Sequence, residues 1–197
     1  MPDGDTVRFA ADNANLLFRL MRQGSPPRLS EQNGTIPLRY EAVDAMERGA
    51  RAPESPEATA ANLGFLGLSG PNDEARGYIF SRLLDTNGRV IAFAFAGDTS
   101  EEDGSDVFVD VERIRNSVNW RLLNDGNVYP LFYDTLFRDL RQEFSDVAAA
   151  AQLGSRGIWR EDATNSGVTW AGRNSLGTLP PVMPNGLSLC FRRDQQL

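Results

Sequence analysis

Apolar and polar residues alternate from Ile36 to Val43, and this period of two predicts a strand over 36–43 with one face towards a core. Thr6-Val-Arg-Phe9 predicts a shorter strand, while Leu16 to Arg22 fits either a strand or a short helix. Gly77 to Leu84 and Val90 to Phe95 predict two further strands, and the Asn87-Gly88 pair between them marks a hairpin. Helical spacing dominates the rest. Ser55-Pro56-Glu57 predicts a helix start, with Pro56 in the first turn and Gly64 and Gly67 at the end. Val111 to Leu123 predicts a second helix, closed by Asp125-Gly126. Leu136, Leu140, Phe144, Val147 and Ala151 recur every three or four residues, which predicts one buried helical stripe ending at Gly154.

Strands first and helices later describe an α+β domain with a curled antiparallel sheet. Between the first strands, Gly24-Ser-Pro-Pro-Arg28 and Glu31-Gln-Asn-Gly34 are turn-rich and read as a loop excursion. Acidic Thr99 to Asp106 reads as a solvated surface loop. From Thr164 onward the chain is rich in Gly, Pro, Asn and Ser, and this tail is expected to wrap the surface or lead towards a partner or further segment. There is no internal repeat.

Composition narrows the chemistry. At 197 residues and 41% hydrophobic, the chain supports one full core with room for an insertion. It contains no histidine, and all 20 basic residues are arginine. A Ser-His-Asp or Cys-His nucleophile, a histidine metal cluster, a Schiff-base lysine and a Walker A lysine are therefore excluded. The lone Cys190 leaves no intrachain disulfide and no cysteine zinc site. A net charge of −7 argues against a broad basic face for duplex DNA, although a local arginine cluster still suits phosphate. No apolar run reaches membrane-span length, and Met1 leads directly into Pro2-Asp3-Gly4-Asp5 without a charged and apolar leader. The expectation is a soluble chain without a membrane partner, acting through carboxylates, arginines, hydroxyls or a hard metal ion.

Candidate residues each have an ordinary reading. Asp3-Gly4-Asp5 makes a turn, Asp44 and Glu47 close a solvated strand end, and Arg39 and Arg89 belong to a strand surface and a hairpin. Their order along the chain changes that reading. Asp3-Gly-Asp-Thr6, then Arg39 with the strand into Asp44-Ala-Met-Glu47, then Asn87-Gly-Arg89 before a strand, resembles the staphylococcal nuclease (thermonuclease) family. Ser117-Val-Asn-Trp-Arg-Leu-Leu-Asn-Asp-Gly126 is similar to that family's penultimate helix, and Gly157-Ile-Trp-Arg-Glu-Asp162 to the tryptophan motif after its last helix.

The resemblance implies an OB-type five-stranded antiparallel β-barrel carrying three helices, whose face and loops suit single-stranded nucleic acid. It implies a nuclease-like domain over 1–163, with an insertion at about 18–35, followed by a tail over 164–197. It also implies calcium-dependent phosphodiester hydrolysis. Asp5 and Asp44 match direct Ca2+ ligands, together with the carbonyl of Ala45. Glu47 matches the carboxylate on the attacking water, and Arg39 and Arg89 match the phosphate-binding arginines. Calcium takes oxygen ligands, and paired guanidiniums can grip a phosphodiester and stabilise the charge of its transition state. The ligands are expected at strand ends outside the core, so that removing Asp44 spares the fold. The expected substrate is single-stranded DNA or RNA.

This chain departs from the family in several places. The stretch between Asp5 and Arg39 is longer, and the lysine and tyrosine that usually precede the hairpin Gly-Arg are replaced by Thr86 and Asn87. The family's strand leading into the Asp-Gly-Asp-Thr motif is short or missing here, and the insertion or the tail is expected to pair the edge left beside Val7. The alternative reading is a nuclease-like OB module that binds nucleic acid or a protein partner without cleaving. Family members are often secreted.

Overall fold

A computed structural model describes residues 3–46, 54–167 and 180–183. The mixed α+β class is as expected. Strand β1 (Thr6–Phe9) runs antiparallel to β3 (Ile36–Tyr40), with Thr6 opposite Arg39 and Phe9 opposite Ile36. Between them, the segment that fitted either strand or helix is both. Ala14–Arg19 is a 3-10 helix, capped by the Asn13 side chain, and Met21–Arg22 is strand β2. The hairpin forms as predicted from β5 (Gly77–Leu84) and β6 (Val90–Ala96).

The predicted strand over 36–43 is broken. Ala42 has a positive φ of 70°, so β3 ends at Tyr40 and the chain restarts as β4 (Val43–Asp44). This short strand pairs with β7 (Tyr129–Pro130) in a separate two-stranded sheet, which sets Asp44 opposite Tyr129.

The main sheet has the order β1-β3-β6-β5-β2 and does not close into an antiparallel barrel. Two of its pairs are parallel, β3 with β6 and β2 with β5. The long connection through helix α1 (Glu54–Phe65) permits the first, since parallel neighbours need a long crossover. The insertion supplies the second. Met21 and Arg22 cover the outer edge of β5 opposite Leu83 and Leu84, not the edge beside Val7 that they were expected to pair. A strand of two residues cannot bridge from β5 to β1, so the sheet stays open.

Helices close the core. The predicted helix over 111–123 is split into α2 (Val111–Ile114) and α3 (Val118–Asn124). Buried Ser117 causes the break: its hydroxyl donates to the Ile114 carbonyl at 2.6 Å and accepts from the Trp120 amide at 3.1 Å. Helix α4 (Arg138–Leu153) buries Leu140, Phe144, Val147 and Ala151 as the stripe predicted. Phe144 stacks on Phe93 of β6 with ring centroids 5.7 Å apart. The tryptophan motif docks on the exit of α3, where the Ile158 amide donates to the Gly126 carbonyl at 2.9 Å. In the described part of the tail, Pro181 accepts from the Ala163 amide. Among the described residues no helix is long and apolar enough to cross a membrane.

Candidate functional site

Before β1, Asp3-Gly4-Asp5 forms a tight turn in which the Asp3 carboxylate accepts from the Asp5 amide. Thr6 donates its hydroxyl to Asp5 Oδ1 at 2.9 Å. The turn is anchored from α1 by fully buried Asn62, whose amide donates to the Asp3 carbonyl at 2.6 Å and accepts from the Tyr40 hydroxyl at 2.8 Å. Burial drives the Tyr40 hydroxyl pKa upward, so it stays a neutral donor to Asn62. Gly4 is required by packing. A Cβ there would sit 2.6 Å from Cβ of Ala45 and 2.8 Å from Cβ of Ala58, and neither atom can swing away. Gly4→Ala is expected to cost about 1–3 kcal/mol through overpacking and to displace Asp5. Urea unfolding measures the first effect; an unchanged midpoint would show that the turn is not clamped.

Strand pairing brings three sequence-predicted residues together. Thr6 lies opposite Arg39, so Asp5 falls beside the end of β3, and the break at Ala42 folds Asp44 back towards it. Arg39 places Nη2 2.6 Å from Asp44 Oδ1 and Nη1 3.4 Å from Asp5 Oδ2. The Ala45 amide donates to the same Asp5 Oδ2 at 3.3 Å. Asp5 is 5% exposed and Asp44 7%. These ligand candidates are therefore not solvated strand ends outside the core, because the β4–β7 pairing covers one of them and α1 the other.

The electrostatics match a crowded acidic site. Burial and the negative charge of Asp5 raise the Asp3 pKa. Burial opposes the charge on Arg39, but Asp5, the Tyr133 hydroxyl and Asp44 outweigh it and push the pKa up, so the guanidinium is always charged. Its Nε is buried without a hydrogen-bond partner among the described residues. Tyr133 lies close along the chain to Tyr129, Phe132 and Phe137. The structure divides them: Tyr129 is core, the Tyr133 hydroxyl lies near the Arg39 guanidinium, and exposed Phe137 carries the Arg82 guanidinium 4.4 Å from its ring centroid.

Arg89 is not in contact with this cluster. Its Nε lies 2.6 Å from Asp85 Oδ2 and its amide donates to Asp85 Oδ1, which holds it in the hairpin turn. It directly precedes β6, in which Ile91 is the neighbour of Arg39 in the parallel pair. The insertion packs on the same hairpin. Ser25 donates its amide to the Thr86 carbonyl, and Gly88, at φ 78°, leaves room for the Pro26 carbonyl that a Cβ would meet at 2.2 Å. Glu47 lies outside the described residues.

Buried Asn119 was not singled out from the sequence. Its amide donates to the carbonyls of Glu41 at 2.8 Å and Ala92 at 3.0 Å, and its oxygen accepts from the Ala94 amide. It thereby fixes α3 to the strand end that turns towards Asp44. The available signal was a polar residue inside the apolar run of α3.

Among the described residues, no three His, Cys, Asp or Glu side chains converge as a metal-binding group. The Asp5 and Asp44 carboxylates do converge, on Arg39, with the Ala45 amide donating to Asp5. No family model matches the chain, and no curated protein is significantly similar to it.

Proposed function

We propose that this protein hydrolyses phosphodiester bonds of single-stranded DNA or RNA with calcium as its metal ion. One observation carries the reading: Asp5, from the Asp-Gly-Asp-Thr motif, meets Arg39 and Asp44, from the later motif, in one buried cluster. Its donors are all oxygen, the ligand type that a hard cation takes. With Asp3 nearby, the carboxyl groups outnumber the one guanidinium, which favours an added cation.

Asp5, Asp44 and the Ala45 carbonyl would hold the ion, with water completing the shell. Bound calcium would supply positive charge to polarise the phosphoryl oxygen. Arg39 would turn its planar fork to two phosphate oxygens once a cation takes over the Asp5 and Asp44 oxygens that Nη1 and Nη2 face. Arg89 serves as the second phosphate contact from the neighbouring strand. Glu47 is the water-activating carboxylate by its place in the motif, since no histidine is present for that role.

The second reading, binding without cleavage, is favoured by the hairpin. Thr86 and Asn87 stand where the family has lysine and tyrosine, the insertion packs over them, and Asp85 engages Arg89. Incubation of matched single-stranded and duplex oligonucleotides with calcium, with and without chelator, separates the two. The expected result is cleavage of single strands in preference to duplex, lost in chelator. Full activity in chelator would overturn the metal assignment, and binding without cleavage in calcium would favour the second reading.

A further inference from the structure

A cleft of about 410 Å³ lies on the helical side of the molecule, between the end of α1 and α3. Phe65, Arg115, Trp120, Arg121 and Asp125 line it. Arg121 sits over Phe65, with its guanidinium 4.1 Å from the ring centroid. Among the described residues, no carboxylate pairs with Arg121. A stacked guanidinium keeps its edge donors available, and that edge matches a phosphate.

The floor of the cleft is rigid. Glu143 receives Nε and Nη2 of Arg115 at 2.7 and 2.8 Å and Nε1 of Trp120 at 2.8 Å. The indole is thus fixed in orientation beside Arg121, half-buried, as a platform of the kind on which a nucleobase stacks. Asp125 closes the other end, with Oδ1 accepting from Asn124. One unpaired guanidinium, an aromatic platform and one acceptor suit a nucleotide unit, which carries a phosphate, a base and hydroxyl or amino donors. A run of carboxylates would meet Asp125 unfavourably.

We propose that this cleft binds a second segment of a single-stranded nucleic acid, with a phosphate on Arg121 and a base on Trp120. The idea rests on the nuclease reading for its ligand class, and α1 links the two sites. Ala58 packs beside Gly4 of the Asp3–Thr6 turn, and Phe65 lies two turns further along the same helical face, about 10 Å away. The two sites thus share contacts with one helix.

The test uses the full chain in chelator, so that nothing is cut, with fluorescently labelled (dT)3 and (dT)9. Fluorescence anisotropy should show tighter binding of (dT)9. Arg121→Gln should weaken (dT)9 about tenfold and reduce its salt slope by about 0.7, the share of one phosphate contact, while leaving (dT)3 unchanged. Arg121→Lys keeps the charge and should recover part of the loss. Equal (dT)9 affinity in wild type and Arg121→Gln would overturn the cleft and leave the nuclease reading intact. Arg121-dependent binding by a chain that never cleaves in calcium would sustain the cleft and sink the nuclease reading. Failure of either oligonucleotide to bind, or displacement of (dT)9 from the Arg121-dependent site by hexaglutamate but not by unlabelled (dT)9, would overturn the proposal, the latter in favour of an acidic protein partner.

Discussion

Asp44→Asn and Arg39→Lys are expected to lower calcium-dependent cleavage by about a hundredfold to a thousandfold each, the usual cost of removing one group aimed at developing charge. The choice of substitution follows from burial. Asp44→Ala would leave Arg39 charged and half-paired in a closed site, and breaking such a pair costs about 3–5 kcal/mol, so lost activity could report lost folding. Asparagine keeps the side-chain oxygen facing Nη2 of Arg39 and removes only the charge that holds a cation. Lysine keeps the charge of Arg39 but cannot face Asp5 and Asp44 through two nitrogens as Nη1 and Nη2 do. Melting temperature separates the roles: calcium should raise that of the wild type and of Arg39→Lys, but not that of Asp44→Asn. Near wild-type turnover in both variants would show that the Asp5-Arg39-Asp44 cluster is structural.

Much of this site could be read before the fold was known, because ordered motifs mark strand ends that pairing then brings together. Asp5 precedes a strand by one residue, and Arg39 lies near the end of another; antiparallel pairing of the two makes them neighbours. What could not be read was the register beyond that. The positive φ of Ala42 has no compositional signal, since it is an alanine rather than a glycine, yet it detaches β4 and turns Asp44 onto Arg39. The open mixed sheet was hidden for a similar reason. The apolar run from Val90 to Phe95 identifies a strand but not whether its neighbour runs parallel, and β2 is too short to show a period. The split of α2 from α3 was legible in principle, since Ser117 is a capping residue, but the apolar spacing continues through it and argued for one helix.

Glu41 stands apart, because it weakens the fold at neutral pH. It is 5% exposed, at the end of β3, and its Oε1 has no hydrogen-bond partner among the described residues. Burial pushes its pKa up to about 7, against a smaller opposing pull from Arg82. In the unfolded chain the same carboxyl titrates at its ordinary value of 4.5. Between these values the folded protein holds a proton that the unfolded chain has released, so stability falls as pH rises through that window. Below it the group makes its full contribution; above about pH 7 that contribution is gone. The shift corresponds to about 3 kcal/mol at 1.36 kcal/mol per pKa unit. Glu41→Gln keeps the shape and stays neutral, so it should exceed the wild type in urea-measured stability by up to about 3 kcal/mol at pH 8 and match it near pH 4.5. The comparison cancels groups such as Glu143, whose pKa is lowered by its Arg115 hydrogen bond and whose contribution fades instead as pH falls. Stability curves for the two proteins that run parallel from pH 4.5 to 8 would show that Glu41 reaches solvent or a partner when ionised. Curves that diverge with rising pH would identify it as a buried acid that makes this fold more stable below neutral pH than above it.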